Sequence, residues 1–355
     1  MAMRLPLVWS DACLRHDPSR EVWIGMPGPG SEVGERATVI RAALLDAGAE
    51  LVPADAHDDE ILLAVHDRDF IDHLAGVYAE WVARGYPGHG QDRVVPYVFP
   101  TAGMLDGLPS HVPYATHGRA GLYGYDTMTL VGPGTWEAAR GAVDAALTAV
   151  ALVASGREQV AYALCRPPGH HVTRRAYGGS CYLNNAAAAA EGLRQAGFDR
   201  VAVLDIDAHH GNGTQAIFYD RSDVFYGSVH VDPGAGWFPH YVGFAVETGR
   251  RDGEKATQNI PLAPGMGDRA WLDGVTSLIS AISDFGATAL VVSLGVDAAV
   301  DDPESPLRVT TDGYETAGRL AASLGIPIIA VQEGGYHLPT LGELVLSTLT
   351  GLIAA

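Results

Sequence analysis

The chain has 355 residues, 47% hydrophobic and 18% charged, a composition that supplies a large core and excludes global disorder. Its formal net charge of −19 argues against the phosphate backbone of a nucleic acid as partner, because phosphates need a basic face. No uninterrupted apolar run approaches the roughly 18 residues of a membrane span, and Met1 to Ser10 has no apolar stretch followed by a small-residue cleavage site.

In chain order, Leu5–Ser10 and Glu50–Pro53 read as strands, and Glu32–Ala47 and Asp59–Trp81 as helices. Between Arg84 and Gly134, glycine and proline are frequent and periodicity is lost; a loop that long is a functional or interface element. Thr135–Ser155 reads as a helix. From Val160 onward β-branched runs alternate with Ala/Leu-rich stretches. The runs Val160–Cys165, Val201–Asp207, Val224–His230, Ala289–Gly295 and Pro327–Glu333 have the near-continuous apolar character of parallel strands covered on both faces. Helices are expected at Asn184–Ala196, Arg269–Phe285, Thr311–Leu324 and Leu338–Ile353. Such alternation predicts βαβ units and an α/β fold. No repeat or low-complexity linker divides the chain, so residues 1–355 are expected to form one domain with a long loop insertion at about 84–134. The three cysteines, Cys13, Cys165 and Cys181, form no CxxC pattern, which fits a reducing cytoplasm.

In an open parallel sheet, ligands bind outside the carboxyl ends of the strands. The unusual polar residues fall at such ends. Val201–Asp207 runs into "DIDAHHGNG", where Asp207 and His209 are spaced to reach one cation, and Ala289–Gly295 leads to Asp297. Two carboxylates and one imidazole, with room left for water, make the pattern of a catalytic zinc site. Val160–Cys165 leads into "RPPGHH" with His170 and His171, on a backbone stiffened by proline. Pro327–Glu333 leads into "EGGY" with Tyr336. Taken singly, a histidine pair is often core or surface, GGY is only a turn, and DxDxHH is a metal site or a helix-capped loop. Four strand ends each delivering one component of a hydrolytic site favour the catalytic reading.

The segments "RPPGHH", "GGSCYLNNAA", "DIDAHHGNGTQ", "SLGVDAAVDDP" and "EGGY" resemble the histone deacetylase superfamily. "PGTWEAA", "HHGNGTQAIFY", "FPH" and "GFAVETG" are similar to bacterial acetylpolyamine amidohydrolases and class II deacetylase-like amidohydrolases. The resemblance implies the arginase/deacetylase fold, a three-layer α/β/α arrangement on a mostly parallel central sheet. It implies Zn2+, or Fe2+ in the cell, on Asp207, His209 and Asp297, with Asp205 and Asn212 behind the tandem histidines. A structural K+ or Na+ is implied near Asp205, Asp207, His209, Ser228 and Val229. On this reading His171 is the general base, His170 a cation that stabilises the intermediate, and Tyr336 a donor to the oxyanion. The substrate is then a small N-acylated amine such as an acetylpolyamine.

Two departures are expected to matter. The polyamine enzymes carry acids upstream of "PGTW" that recognise a distal ammonium, and those places hold His117 and Met128 here, with Asp106 and Asp126 nearby. In the tunnel, Gly179 and Ser180 face Phe238, and Ser180 replaces a customary aromatic. Losing a ring that buries about 150–250 Å² predicts room for a bulkier acyl amide, unless a side chain of the 84–134 insertion fills the space. That insertion is also the expected contact of a homodimer. The rival readings are an arginase-like ureohydrolase, for which His210 and Ala298–Ala299 stand where a second metal needs carboxylates, and a catalytically silent acyl-amine binding protein.

Overall fold

The computed structural model describes residues 3–354; residues 1, 2 and 355 of the expected domain lie outside the described residues. The strands are β1 (Pro6–Trp9), β2 (Glu21–Trp23), β3 (Met26–Gly28), β4 (Glu50–Pro53), β5 (Val160–Ala163), β6 (Val201–Asp205), β7 (Val224–Val231), β8 (Thr257–Leu262), β9 (Ala289–Leu294) and β10 (Ile328–Gln332). Eight of them form one sheet in the order β4-β1-β5-β10-β9-β6-β7-β8, and every neighbouring pair is parallel. The central strands are buried along their whole length, as the apolar runs required.

The helices are α1 (Gly34–Asp46), α2 (Glu60–Val65), α3 (Arg68–Ala83), α4 (Ala102–Leu105), α5 (Thr116–Tyr123), α6 (Thr135–Ala154), α7 (Asn185–Gln195), α8 (Asn212–Phe218), α9 (Asp268–Phe285), α10 (Thr311–Ala322) and α11 (Leu338–Ile353). Helices α6 and α7 cover one face, while α1, α9, α10 and α11 form the opposite layer. The result is the three-layer α/β/α arrangement. After β8 the strand order reverses, and β9 and β10 return to fill the space between β6 and β5. In register, Asp205 lies beside Ser228 of β7 and Ser293 of β9, so the loops after β5, β6, β9 and β10 open on the same edge.

Several elements differ from expectation. The helix read at Asp59–Trp81 is two helices, broken at His66, whose backbone is extended. Its ring is buried and meets the carbonyl of Thr173 and the N–H of Asn184; these bonds hold it beneath the histidine loop, which a continuous helix would not permit. Strand β8 carries Asn259 and Pro261, poor strand residues that an edge tolerates because its outer N–H groups need no partner. The β2–β3 hairpin, α4, α5 and α8 lay in segments without periodicity. The insertion contributes α4 and α5, and α5 rests on α3.

Candidate active site

The floor of the site is built from four strand ends. After β6 the chain carries Asp207 and His209 inward, and after β9 it carries Asp297. One ligating atom from each of these three lies within 4.8 Å of the other two. His209 Nδ1 is 2.9 Å from Asp297 Oδ2 and 3.3 Å from Asp207 Oδ1. Glycines make room for these groups: a Cβ at Gly295 would fall 2.0 Å from Asp207 Oδ2, and one at Gly334 would fall 2.5 Å from Asp297 Oδ2. Two buried carboxylates and an imidazole, ion-paired to no Lys or Arg among the described residues, fit a single divalent ion, since buried charges need a partner or a metal.

The loop after β5 places the tandem histidines in contact, with ring centroids 4.0 Å apart. Their partners differ. His170 Nδ1 donates to Asp205 Oδ2 at 3.1 Å, and Tyr226 donates to the same oxygen at 3.0 Å. His171 Nδ1 donates to Asn212 Oδ1 at 2.8 Å, which leaves Nε2 as a free acceptor. Burial alone would lower both. For His170 the carboxylates of Asp207, Asp205 and Glu333 outweigh burial and raise it to about 10; for His171 burial and the charges of His170 and His209 push it well below the ordinary value. The two neighbouring rings are thus shifted in opposite directions. A substituent at Gly211 would strike Asp205, so only glycine lets this carboxylate sit against the loop.

Tyr336 follows β10. Its N–H and that of His337 donate to Asp302 Oδ2 at 2.6 and 3.1 Å, and the Arg36 guanidinium lies 4.6 Å from its ring centroid. Burial holds the phenol well above its usual range, against the opposing charge of Arg36, so it keeps its proton.

A cavity of about 450 Å³ rises from this floor. His171, His209 and Tyr336 lie at its base, and Gly179, Ser180, Phe238 and Met128 form walls. The Phe238 ring meets His171 edge-on at 4.7 Å. Gly179 is required: its φ is +59° and a Cβ would lie 2.4 Å from the His171 ring. Met128, from the insertion, faces the same space as Ser180. Tyr125 lies behind Gly178, its ring 6.3 Å from that of Phe238 and nearly parallel to it.

The expectation for His117 is corrected. It lies on α5, hydrogen-bonded to the Tyr86 hydroxyl and beside Tyr97, away from the cavity walls, because α5 packs against α3 rather than over the site. Asp126 is nearer, but its oxygens accept from the N–H groups of Gly179, Met128 and Thr129; it shapes the wall and has no oxygen to spare. Asp106 ends α4 and does not line the cavity. Two acids that the sequence reading missed do line it, Glu21 and Glu304. Glu304 is seven residues beyond Asp297 in the same strand-end loop and was legible from that proximity. Glu21 was not, because it reaches the cavity on the unpredicted β2–β3 hairpin. Burial pushes Glu21 up to about 7, opposed by a hydrogen bond from the Ser31 N–H and reinforced by Glu304, Glu32 and Asp126.

Ser228 lies opposite Asp205 in the β6–β7 register, with its Oγ 2.8 Å from His230 Nδ1 and Val229 next in the strand. His210 turns away from Asp207, His209 and Asp297 to meet Gln215 Oε1 at 3.0 Å, and Ala298 and Ala299 carry no ligating atom, so carboxylates for a second metal are absent at the ureohydrolase positions.

A parallel α/β sheet with this set at its carboxyl edge falls in the arginase/deacetylase class. The chain belongs to the histone deacetylase domain family, whose pattern matches residues 31–352. It is 39% identical to the acetylpolyamine amidohydrolase of Mycoplana ramosa over 347 residues, covering 98% of this chain and 99% of that one. Acetylpolyamine amidohydrolase 1 of Pseudomonas aeruginosa is 38% identical, with 97% of each chain covered. Among solved structures, the acetylpolyamine aminohydrolase of Burkholderia pseudomallei superposes with a TM-score of 0.90 at 37% identity over 98% of both chains. The HDA15 HD domain gives 0.79 at 26% identity, covering 99% of this chain and 91% of that one. No helix among the described residues is long and apolar enough to cross a membrane.

Proposed function

We propose that this protein is a zinc-dependent amidohydrolase that removes an acyl group, acetyl first, from a small N-acylated amine of the acylpolyamine class. The carrying observation is the convergence of Asp207, His209 and Asp297 with His171 and Tyr336 at the base of one cavity. Zinc held by those three residues would supply Lewis acidity toward the amide carbonyl and bring the pKa of a coordinated water to about 7. Neutral His171 takes the proton of the attacking water and returns it to the leaving nitrogen, while Asn212 keeps the ring oriented. Cationic His170, held by Asp205, stabilises the negative charge that develops beside it. The Tyr336 hydroxyl donates to the carbonyl oxygen as that oxygen gains charge. Presence of every ligand, both histidines and the tyrosine favours catalysis over silent binding. Chelation should abolish turnover of an acetylated amine and added Zn2+ restore it; Fe2+ under anaerobic conditions is the comparison. Metal analysis should give one such ion per chain, and two manganese ions per chain would favour a ureohydrolase instead.

Glu21 and Glu304 support an amine bearing a second, cationic group. Because burial raises Glu21, its charge forms as pH increases through about 7. The ratio of kcat/KM for acetylputrescine to that for a neutral acetamide should therefore climb between pH 6 and 8, as assayed at constant ionic strength, and Glu21→Gln should flatten it. A ratio independent of pH in the wild type would remove Glu21 from this role. Ser180 widens the wall, so bulky anilides are expected to be accepted beside acetylpolyamines; a strict preference for slender substrates would mean that Met128 fills the gap.

We read residues 1–355 as one domain, with K+ or Na+ held by Asp205, Asp207, His209, Ser228 and Val229. The three cysteines are free and buried, which fits the cytoplasm. Exposed Tyr97, Met104, Leu108, Val112 and Tyr114 crowd the insertion, an apolar surface that supports a homodimer. Sedimentation at micromolar concentration should give a dimer.

A further inference from the structure

One buried carboxylate stands between the two catalytic loops without touching the cavity. Glu333 is fully buried and directly follows β10, three residues before Tyr336. Its Oε2 accepts from the N–H groups of Gly169 and His170 at 2.7 and 3.1 Å, across the sheet on the loop that carries the tandem histidines. Its Oε1 accepts from Ser293 Oγ at 3.1 Å. Its own backbone is held in turn: Arg36 donates to the carbonyls of Glu333 and Gly335 at 2.6 and 2.5 Å, and the Gly334 N–H donates to Asp207 Oδ2 at 2.7 Å.

His170, Cys181 and Glu333 also bring ligating atoms within 4.8 Å of one another, a grouping with the look of a second metal site. The side chains are otherwise engaged. Both Glu333 oxygens accept hydrogen bonds, His170 is directed at Asp205, and burial holds the Cys181 thiol well above its normal range, far from the thiolate a metal needs.

We propose that Glu333 is a positioning residue that fastens the histidine-bearing loop to the tyrosine-bearing loop, so that base and oxyanion donor keep one geometry. Two backbone N–H groups on one loop converge on a single oxygen from the other, and neither has another acceptor. Without that oxygen the 169–171 backbone loses its tie to the Tyr336 loop and is held only from the β6 side and by Tyr125, through the His170 and His171 carbonyls and rings, and a shift of about 1 Å in a reacting group can cost roughly 10²-fold in rate. The Glu333 side chain makes no hydrogen bond to Asp207, His209 or Asp297, nor to Gly179, Ser180, Phe238 or Met128 of the cavity wall, so metal and substrate should bind much as before.

The inference rests on the amidohydrolase reading, and the test separates the two. Glu333→Met keeps the length and volume of the side chain but removes the acceptors; Glu333→Gln keeps an acceptor and removes the charge. The expected result is a kcat about 10²-fold lower in E333M, with KM and zinc content within about twofold of wild type, and recovery of at least about tenfold of that loss in E333Q. A general structural role would instead lower zinc content, KM and melting temperature together and give no selective recovery by glutamine. E333M with wild-type kcat overturns the proposal, as does an E333Q that is no better than E333M. If E333M does not fold, E333Q decides: the proposal expects kcat several-fold below wild type, because a neutral oxygen accepts less strongly than a carboxylate, and wild-type kcat overturns it. Should the wild type hydrolyse no N-acyl amine, the functional reading fails while this inference is still read from hydrogen exchange. The amides of Gly169 and His170 should be slow to exchange in wild type and E333Q and fast in E333M; equal rates in all three overturn it.

Discussion

Replacing Tyr336 with phenylalanine is expected to lower kcat by about 10²–10³, the cost of removing one preorganised donor to an oxyanion, or about 2.7–4 kcal/mol of transition-state stabilisation. The fold should tolerate the change. The ring is held by Arg36 and its backbone by Asp302, and neither contact uses the hydroxyl. Zinc content should stay at the wild-type level, because Tyr336 is not among Asp207, His209 and Asp297, the three residues proposed to hold the ion. KM should change little, since the carbonyl oxygen calls on the phenol mainly when charge accumulates on it. Single-turnover kinetics with parallel metal analysis would check this; full turnover in the variant would assign the donor elsewhere.

His171→Ala is the second large effect, with kcat expected to fall by about 10²–10⁴, the range for losing a positioned general base and acid. His171 is the neutral member of the pair, with Nδ1 committed to Asn212 and Nε2 free. His170 is poorly placed to replace it: its Nδ1 is bonded to Asp205 and the surrounding carboxylates favour its protonated form. Metal should remain bound, so the loss should appear in turnover and not in zinc stoichiometry. A residual rate within tenfold of wild type would mean that another group carries the proton.

Much of the site was readable before folding was considered. In a parallel sheet the strand ends lie on one edge, so polar residues directly following apolar runs share a rim whatever the strand order. That reasoning brings Asp207, His209, Asp297, His170, His171 and Tyr336 together without any distance being known. The same logic reached Glu304 only in retrospect. It failed for Glu21, whose hairpin has three-residue strands and no periodicity, and it assigned His117 to the tunnel by counting along an insertion whose path the count could not follow. Asp126 shows the converse: a nearby acid with the right charge, already occupied by backbone N–H groups.

The amino-acid sequence by itself determined the class of sheet and the gathering of Asp207, His209 and Asp297 with His170, His171 and Tyr336 at one edge, because these depend on local periodicity and on residue types at strand ends; the pairing of the two histidines with Asp205 and Asn212 came from the family resemblance. Only the tertiary structure decided which acids face the cavity, that Met128 stands beside Ser180, and that Glu333 reaches across to Gly169 and His170. Those facts depend on how far apart non-local segments lie and on which hydrogen-bonding groups are already taken, and neither is set by spacing along the chain.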